Sequence, residues 1–395
     1  MQNRIDVELS LSYLSLLVLG TFLITSFSLE VKGFSPSRIH LLMLLSFVLI
    51  CLPNNINAFL SGKLNITYLI IIILFFFLTL FNVLRSSNPD ILSVSISRYG
   101  IVLWFYIGIS SAVSLMTIQK RGIKKINTFC FYSLSLLLIY FSLTSIPYVD
   151  FFMKLNYQFI ATQISLISIL LTFFLILSIS TSNYLKIIIF ITSTSSSSYV
   201  SLLAGSNAIL AIWFTILIIF FIFFFQVRKY SNRTEKQNLL LRYIFFLLIF
   251  LFLVYFFLPY ITQGTRLETI NQSIFLVSSV ESRLSFIPNF LDHFSVNPIF
   301  GNWDSEILSG SESGEYIHSI LLSLLTHTGI VGFLLISTCM LGQIFSNSKA
   351  SNLFIIMNST YLISFFLLGS LIAFMTWQVF WFVLGLNIYN QMRKA

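Results

Sequence analysis

Apolar residues in this chain gather in long, nearly uninterrupted runs separated by short polar stretches. A hydrocarbon layer about 30 Å thick takes about 20 apolar helical residues to cross. Twelve runs reach or approach that length: 9–29, 39–56, 66–84, 98–118, 126–146, 159–181, 186–203, 207–227, 242–260, 317–345, 353–371 and 373–390. Strict alternation of polar and apolar positions is missing, which argues against a membrane β-barrel. The pattern predicts an all-α integral membrane protein, a single polytopic domain over residues 1–395 with a bundle of about 12 transmembrane helices. The first run is not followed by a small-residue cleavage site, so it reads as a span rather than a signal peptide. The seventh holds seven consecutive Ser/Thr residues, Thr192 to Ser198. Such hydroxyls bond their own helix backbone and let helices approach closely; a re-entrant loop is the alternative.

Composition sharpens this picture. Hydrophobic residues make up 57% of the chain and charged residues 9%, against about 25% charged in an ordinary soluble domain. A cytosolic enzyme, a secreted globular domain and a disordered chain are excluded. The net charge of +9 is spread over small groups in the connections and forms no basic stripe, so no nucleic-acid partner is expected. The three cysteines are far apart, form no CxxC pair, and read as small buried hydrophobes.

With the N-terminus placed in the cytoplasm, fifteen of the 22 Lys+Arg fall on the inner side and seven on the outer. Acidic residues divide the other way, three inside and ten outside. The positive-inside rule favours this orientation, and an even number of spans returns the C-terminus to the cytoplasm.

One outer connection stands apart. The 56 residues from Ile261 to Tyr316 carry seven carboxylates and only two bases, Arg266 and Arg283. Loops of this length are often functional. Within it Leu284, Ile287, Leu291 and Phe294 recur at helical spacing, which predicts a short amphipathic helix on the membrane or on the bundle. Asn297-Pro298 ends it, and Pro288 weakens or kinks it.

The sharpest local pattern lies where this loop re-enters the apolar layer, with His318-Ser319 at the outer mouth and Gly329 and Gly332 deeper. A histidine there can take a proton from a hydroxyl near neutral pH, or it can simply anchor the helix. His327, nine residues on, falls about 180° round a straight helix and reads as a packing or hydrogen-bonding residue. His40 and His293 have no paired spacing, and no zinc-type grouping exists. Asp304, Glu306, Glu312 and Glu315 read as a solvated acidic stretch in preference to a cation site. Guanidinium groups at Arg283 and Arg266 can grip a phosphate with paired hydrogen bonds, or can pair with Glu268 and Glu281. Arg98, at the outer start of the fourth run, is a third candidate and can also snorkel to the interface.

Taken in order, SRLSFIPNFLDHFSVNPIFG, an acidic spacer and HSILLSLLTHTGIVG resemble the O-antigen polymerase and O-antigen ligase superfamily. The matching features are Arg283, the turn Asn297 to Gly301, the pair His318-Ser319, and Gly329 to Gly332. About 55 residues carry the resemblance, and the long late outer loop agrees with it. Asn207, in AGSNAIL, stands where members often carry Arg, and Arg98 is the candidate to stand in for it.

The resemblance implies a metal-independent integral-membrane glycosyltransferase without a cofactor. Its donor would be a glycan on undecaprenyl diphosphate, used at the periplasmic face of the bacterial inner membrane. His318 would be the base that activates the acceptor hydroxyl. Arg283, with Arg266 and Arg98, would bind the diphosphate. The bilayer is a partner, and a chain-length regulator protein is a further candidate partner. The expectation is a polymerase of oligosaccharide repeats. The alternatives are the sibling ligase, acting on lipid A-core, and a lipid-linked glycan flippase, which the lack of internal repeats and mid-membrane charges disfavours.

Overall fold

The structure, a computed structural model, describes residues 2–31, 38–85, 100–121, 165–169, 190–191, 193–195, 197–198, 212–213, 216, 286–302, 319–347, 360–364 and 378–389. These residues are mostly helical, and no strand occurs among them beyond one isolated bridge between Leu64 and Tyr389. The bounded helices are α1 (Gln2–Val31), α2 (Arg38–Leu60), α3 (Ile66–Arg85), α4 (Gly100–Arg121), α5 (Phe286–Val296), α6 (Ile320–Asn347) and α7 (Gln378–Leu386). Among the described residues, five segments are long and apolar enough to cross a membrane: Val7–Ser26, Arg38–Leu60, Ile66–Arg85, Gly100–Ile118 and Ile320–Gln343. The chain is therefore a helical membrane protein. These five coincide with the first four expected runs and the tenth. The fifth (126–146) and ninth (242–260) lie outside the described residues, and the others are described only in part.

Local chemistry explains the boundaries. Helix α2 continues through Pro53 and four residues past the expected end. Gly62 then takes a left-handed conformation (φ 64°). Its N–H donates to Phe59 O, and Lys63 N–H reaches back to Ala58 O. That pair of bonds is a Schellman cap, which needs glycine at the left-handed position. Asn65 caps the start of α3, accepting from Tyr68 N–H at 3.3 Å. The 61–65 connection turns the chain, and α2 packs on α1 and α4 while α3 packs on α6.

Lipid tails are as apolar as leucine, so small residues and hydrogen bonds, not hydrophobicity, select the helix pairs. Asn54 of α2 donates to Glu8 O and Ser12 Oγ of α1, while His40 meets Thr25 Oγ1 at the other end of the pair. Asn55 donates to Ser110 Oγ of α4 at 2.7 Å, and the hydroxyls of Ser15 and Ser114 meet at 3.0 Å. Helix α7 crosses α4 backbone to backbone. A Cβ on Gly108 would strike Phe382 O, and one on Gly385 would strike Phe105 O. Trp381 of α7 is fully buried and stacks on Phe75 of α3, with ring centroids 5.4 Å apart. The described part of the Ser/Thr tract is helical. Thr194 and Ser198 bond carbonyls four residues back, and Ser197 meets Ser168 at 2.5 Å.

These contacts also fix sidedness. Glu8 near the start of α1, the 61–65 turn, and Ile388 just after α7 gather at one end of the bundle, where Asn65 N–H donates to Ile388 O at 2.8 Å. Tyr68 and Asn82 of α3 lie against Gly342 and His327 of α6 respectively, so α3 and α6 run antiparallel. The end of α3 is thus at the opposite face from the start of α1.

The α4–α7 crossing yields a test. Gly108→Val should lower stability by about 2 kcal/mol or more, because backbone cannot retreat as a side chain can. The thermal unfolding midpoint in detergent should fall, and an unchanged midpoint would contradict the close crossing.

Candidate functional site

The Asn297-to-Gly301 turn and the Gly329-to-Gly332 stretch, 28 residues apart from Gly301 to Gly329, are in direct contact. Helix α5 ends at Val296, one residue before the turn begins, as the Asn297-Pro298 pair suggested. Pro288 sits in the first turn of α5, where its missing N–H has no intrahelical partner to lose. The helix packs through Phe290, which is buried and stacks on Phe294 at 5.4 Å. Leu291, expected on the apolar stripe, is exposed.

Helix α6 is broken. Gly329 has φ 62° and ψ −168°, outside helical geometry and open only to glycine. The break divides α6 into 320–328 and 330–347. A break inside an apolar layer strands N–H and C=O groups that have no water to bond. Here the turn and α3 supply partners on both sides of it. Ile330 N–H donates to Pro298 O at 2.9 Å, and Val331 N–H to Ile299 O at 3.1 Å. On the other side of the break, Thr326 O accepts from Asn302 N–H at 2.7 Å. The turn itself closes through Gly301 N–H to Asn297 O at 2.9 Å.

The fit leaves no room at two glycines. A Cβ on Gly301 would collide with the backbone of His327, Thr328 and Gly329, and a Cβ on Gly329 with that of Ile299 and Gly301. Gly301 also has φ 81°. Both positions therefore require glycine for two independent reasons, conformation and space. Gly332 lies one turn below the break. There a Cβ would meet the side chain of Thr328 instead of backbone.

Sequence reading missed Asn82. Its side-chain amide donates to Phe300 O at 2.5 Å and to His327 O at 2.9 Å, so one group holds the turn and the break together. Asn82 is buried, and its Oδ1 makes no hydrogen bond among the described residues. The available signal was a single amide in the last turn of an otherwise apolar span.

His327 is buried beside the break, in keeping with its reading as a packing or hydrogen-bonding residue. Ser319 acts locally, its Oγ accepting from Leu322 N–H at 3.2 Å and so capping α6. His40 is a buried structural histidine bonded to Thr25. Cys51 and Cys339 are buried and free, while Cys130 lies outside the described residues. His318, Arg283, Arg266 and Arg98 also lie outside the described residues.

No family model matches the chain, and no curated protein matches it. The chemistry of the site therefore rests on its own residues.

The interlock makes two demands that stability measurements can check. Gly329→Ala and Gly301→Ala should each cost about 2 kcal/mol or more, from left-handed strain and overpacking together. Gly20→Ala, where a Cβ meets nothing, should be neutral or stabilising by up to about 1 kcal/mol. Thermal unfolding of the three variants side by side checks the order. Asn82→Asp keeps the shape but turns both donors into acceptors facing carbonyls, and should cost about 2 kcal/mol or more. An Asn82→Asp protein as stable as the parent would dismiss the amide as a clamp.

Proposed function

We propose that the chain is an O-antigen polymerase: a twelve-span glycosyltransferase of the bacterial inner membrane that joins undecaprenyl-diphosphate-linked oligosaccharide repeats at the periplasmic face. The observation that carries this reading is the interlock. Two sequence patterns that define the resemblance, Asn297 to Gly301 and Gly329 to Gly332, form one structural unit through Ile330, Val331 and Asn302.

Two further features support it. The interlock lies at the opposite face of the bundle from the start of α1, which is the outer face once the basic connections are assigned to the cytoplasm. Two helical arms also lead into it from their N-terminal sides. Helix α5 is 11 residues long, about 16 Å. The 320–328 arm is about 13 Å by the same rise. In the sequence Arg283 precedes the first arm and His318 the second.

In this mechanism the His318 imidazole takes the proton of an acceptor sugar hydroxyl as its oxygen attacks the anomeric carbon of the donor. The bond from that carbon to the diphosphate oxygen breaks. Arg283 and Arg266, with Arg98, neutralise the charge that builds on the leaving diphosphate. No metal ion is needed for either step.

The test is His318→Ala in cells that rely on this gene, with protein level checked by blot. Loss of a general base costs about 10²- to 10⁴-fold in turnover, so long surface-polysaccharide chains should vanish and single repeats on the lipid core remain. Bare core would point to the ligase instead. An unaltered long-chain ladder at normal protein level would end the assignment of His318.

A further inference from the structure

We infer that the 297–301 turn is seated at the boundary between headgroups and hydrocarbon, with Val296, Ile299 and Phe300 against phospholipid acyl chains. This contact is independent of the catalytic reading. The residues concerned are 70%, 55% and 45% exposed, although the turn is hydrogen-bonded into the bundle. Their neighbours identify what covers them. Asn82, which holds Phe300 O, is flanked on α3 by Phe81 and Leu84, 57% and 69% exposed. Ile330, bonded to Pro298 O, is 43% exposed on α6. Helices α3 and α6 both have the length and apolar character of spans, so these side chains face lipid, and the turn continues the same surface.

Depth follows from α3. Asn82 lies three residues before Arg85, about 4.5 Å along the axis. Arg85 is exposed and ends the helix, which places its guanidinium at headgroup level. The turn therefore sits just beneath the headgroups. The outermost positions of α5 suit this placement. Asp292 and Ser295 are exposed and lie between Leu291 and Val296 round the helix, so polar and apolar side chains share the exposed side of α5, as at an interface. An outer loop anchored this way is a monotopic wedge, not an aqueous arm.

Single cysteines at Phe300, Ile299, Val296 and Ser295, carrying the fluorophore NBD, test this in the full chain reconstituted into phosphatidylcholine liposomes. The expected result is blue-shifted emission at 299 and 300, with quenching by bromine-labelled acyl chains about threefold or more above that at Ser295, as an interfacial anchor requires. Water-like emission with quenching equal to that at Ser295 would overturn the inference. Should Phe300→Cys fail to give monodisperse protein, Ile299→Cys and Val296→Cys report on the same surface and decide the matter.

Discussion

Within hydrocarbon a backbone N–H or C=O has no water to turn to, and an unsatisfied one costs several kcal/mol. The arrangement around the break in α6 follows from that constraint. Gly329 breaks a span, and the break would strand polar groups on both sides. The chain solves this by delivering a second piece of backbone to the same place. Pro298 and Ile299 supply carbonyls to the helix below the break, and Asn302 supplies an N–H to the helix above it. The broken helix and the turn are thus each incomplete without the other. Gly301 and Gly329 are the residues that let two backbones come this close.

Helix α3 ties this interlock to the rest of the bundle. Its first end is capped by Asn65, whose own N–H is held by Ile388 after α7. Its last turn carries Asn82, which clamps the interlock. Between them Phe75 stacks on Trp381, and Trp381 belongs to the helix whose Gly385 crosses α4 at Gly108. A side chain forced into the α4–α7 crossing would therefore press on the strut that carries the clamp. The coupling is physical: rigid helices joined by backbone-close crossings with little room to yield.

Much of this was legible in the sequence because bilayer thickness sets span length. The runs at 9–29, 39–56, 66–84, 98–118 and 317–345 correspond to α1, α2, α3, α4 and α6 within a few residues. The exit of α5 at Asn297-Pro298 was legible for a local reason, since the residue before proline resists helical geometry. The site was legible only as two separate patterns. Nothing in one dimension says that a turn at 297–301 docks at residue 329, because the contact is made by backbone carbonyls and amides that every residue carries. Asn82 escaped notice for the opposite reason. A lone amide near a span end is common, and its role exists only once the two carbonyls it serves are brought together. The phase relation drawn between His318 and His327 falls on a residue, His318, outside those the structure describes.

The break changes what determines the direction of everything outside it. In an unbroken helix the angle of each side chain follows from the one below, 100° at a time. At Gly329 that inheritance stops, since its backbone is far from helical. Residues 320–328 take their orientation from what fixes their lower end, namely Asn302 on Thr326 O and Asn82 on His327 O. Residues 320–328 are thus tied to the loop turn and to α3 as well as to the rest of their own helix. The turn is bonded to both sides of the break, through Thr326 O and through the N–H groups of Ile330 and Val331, so a shift of the turn would act on both parts of the helix. Here a loop turn is part of the scaffold that holds a broken span together.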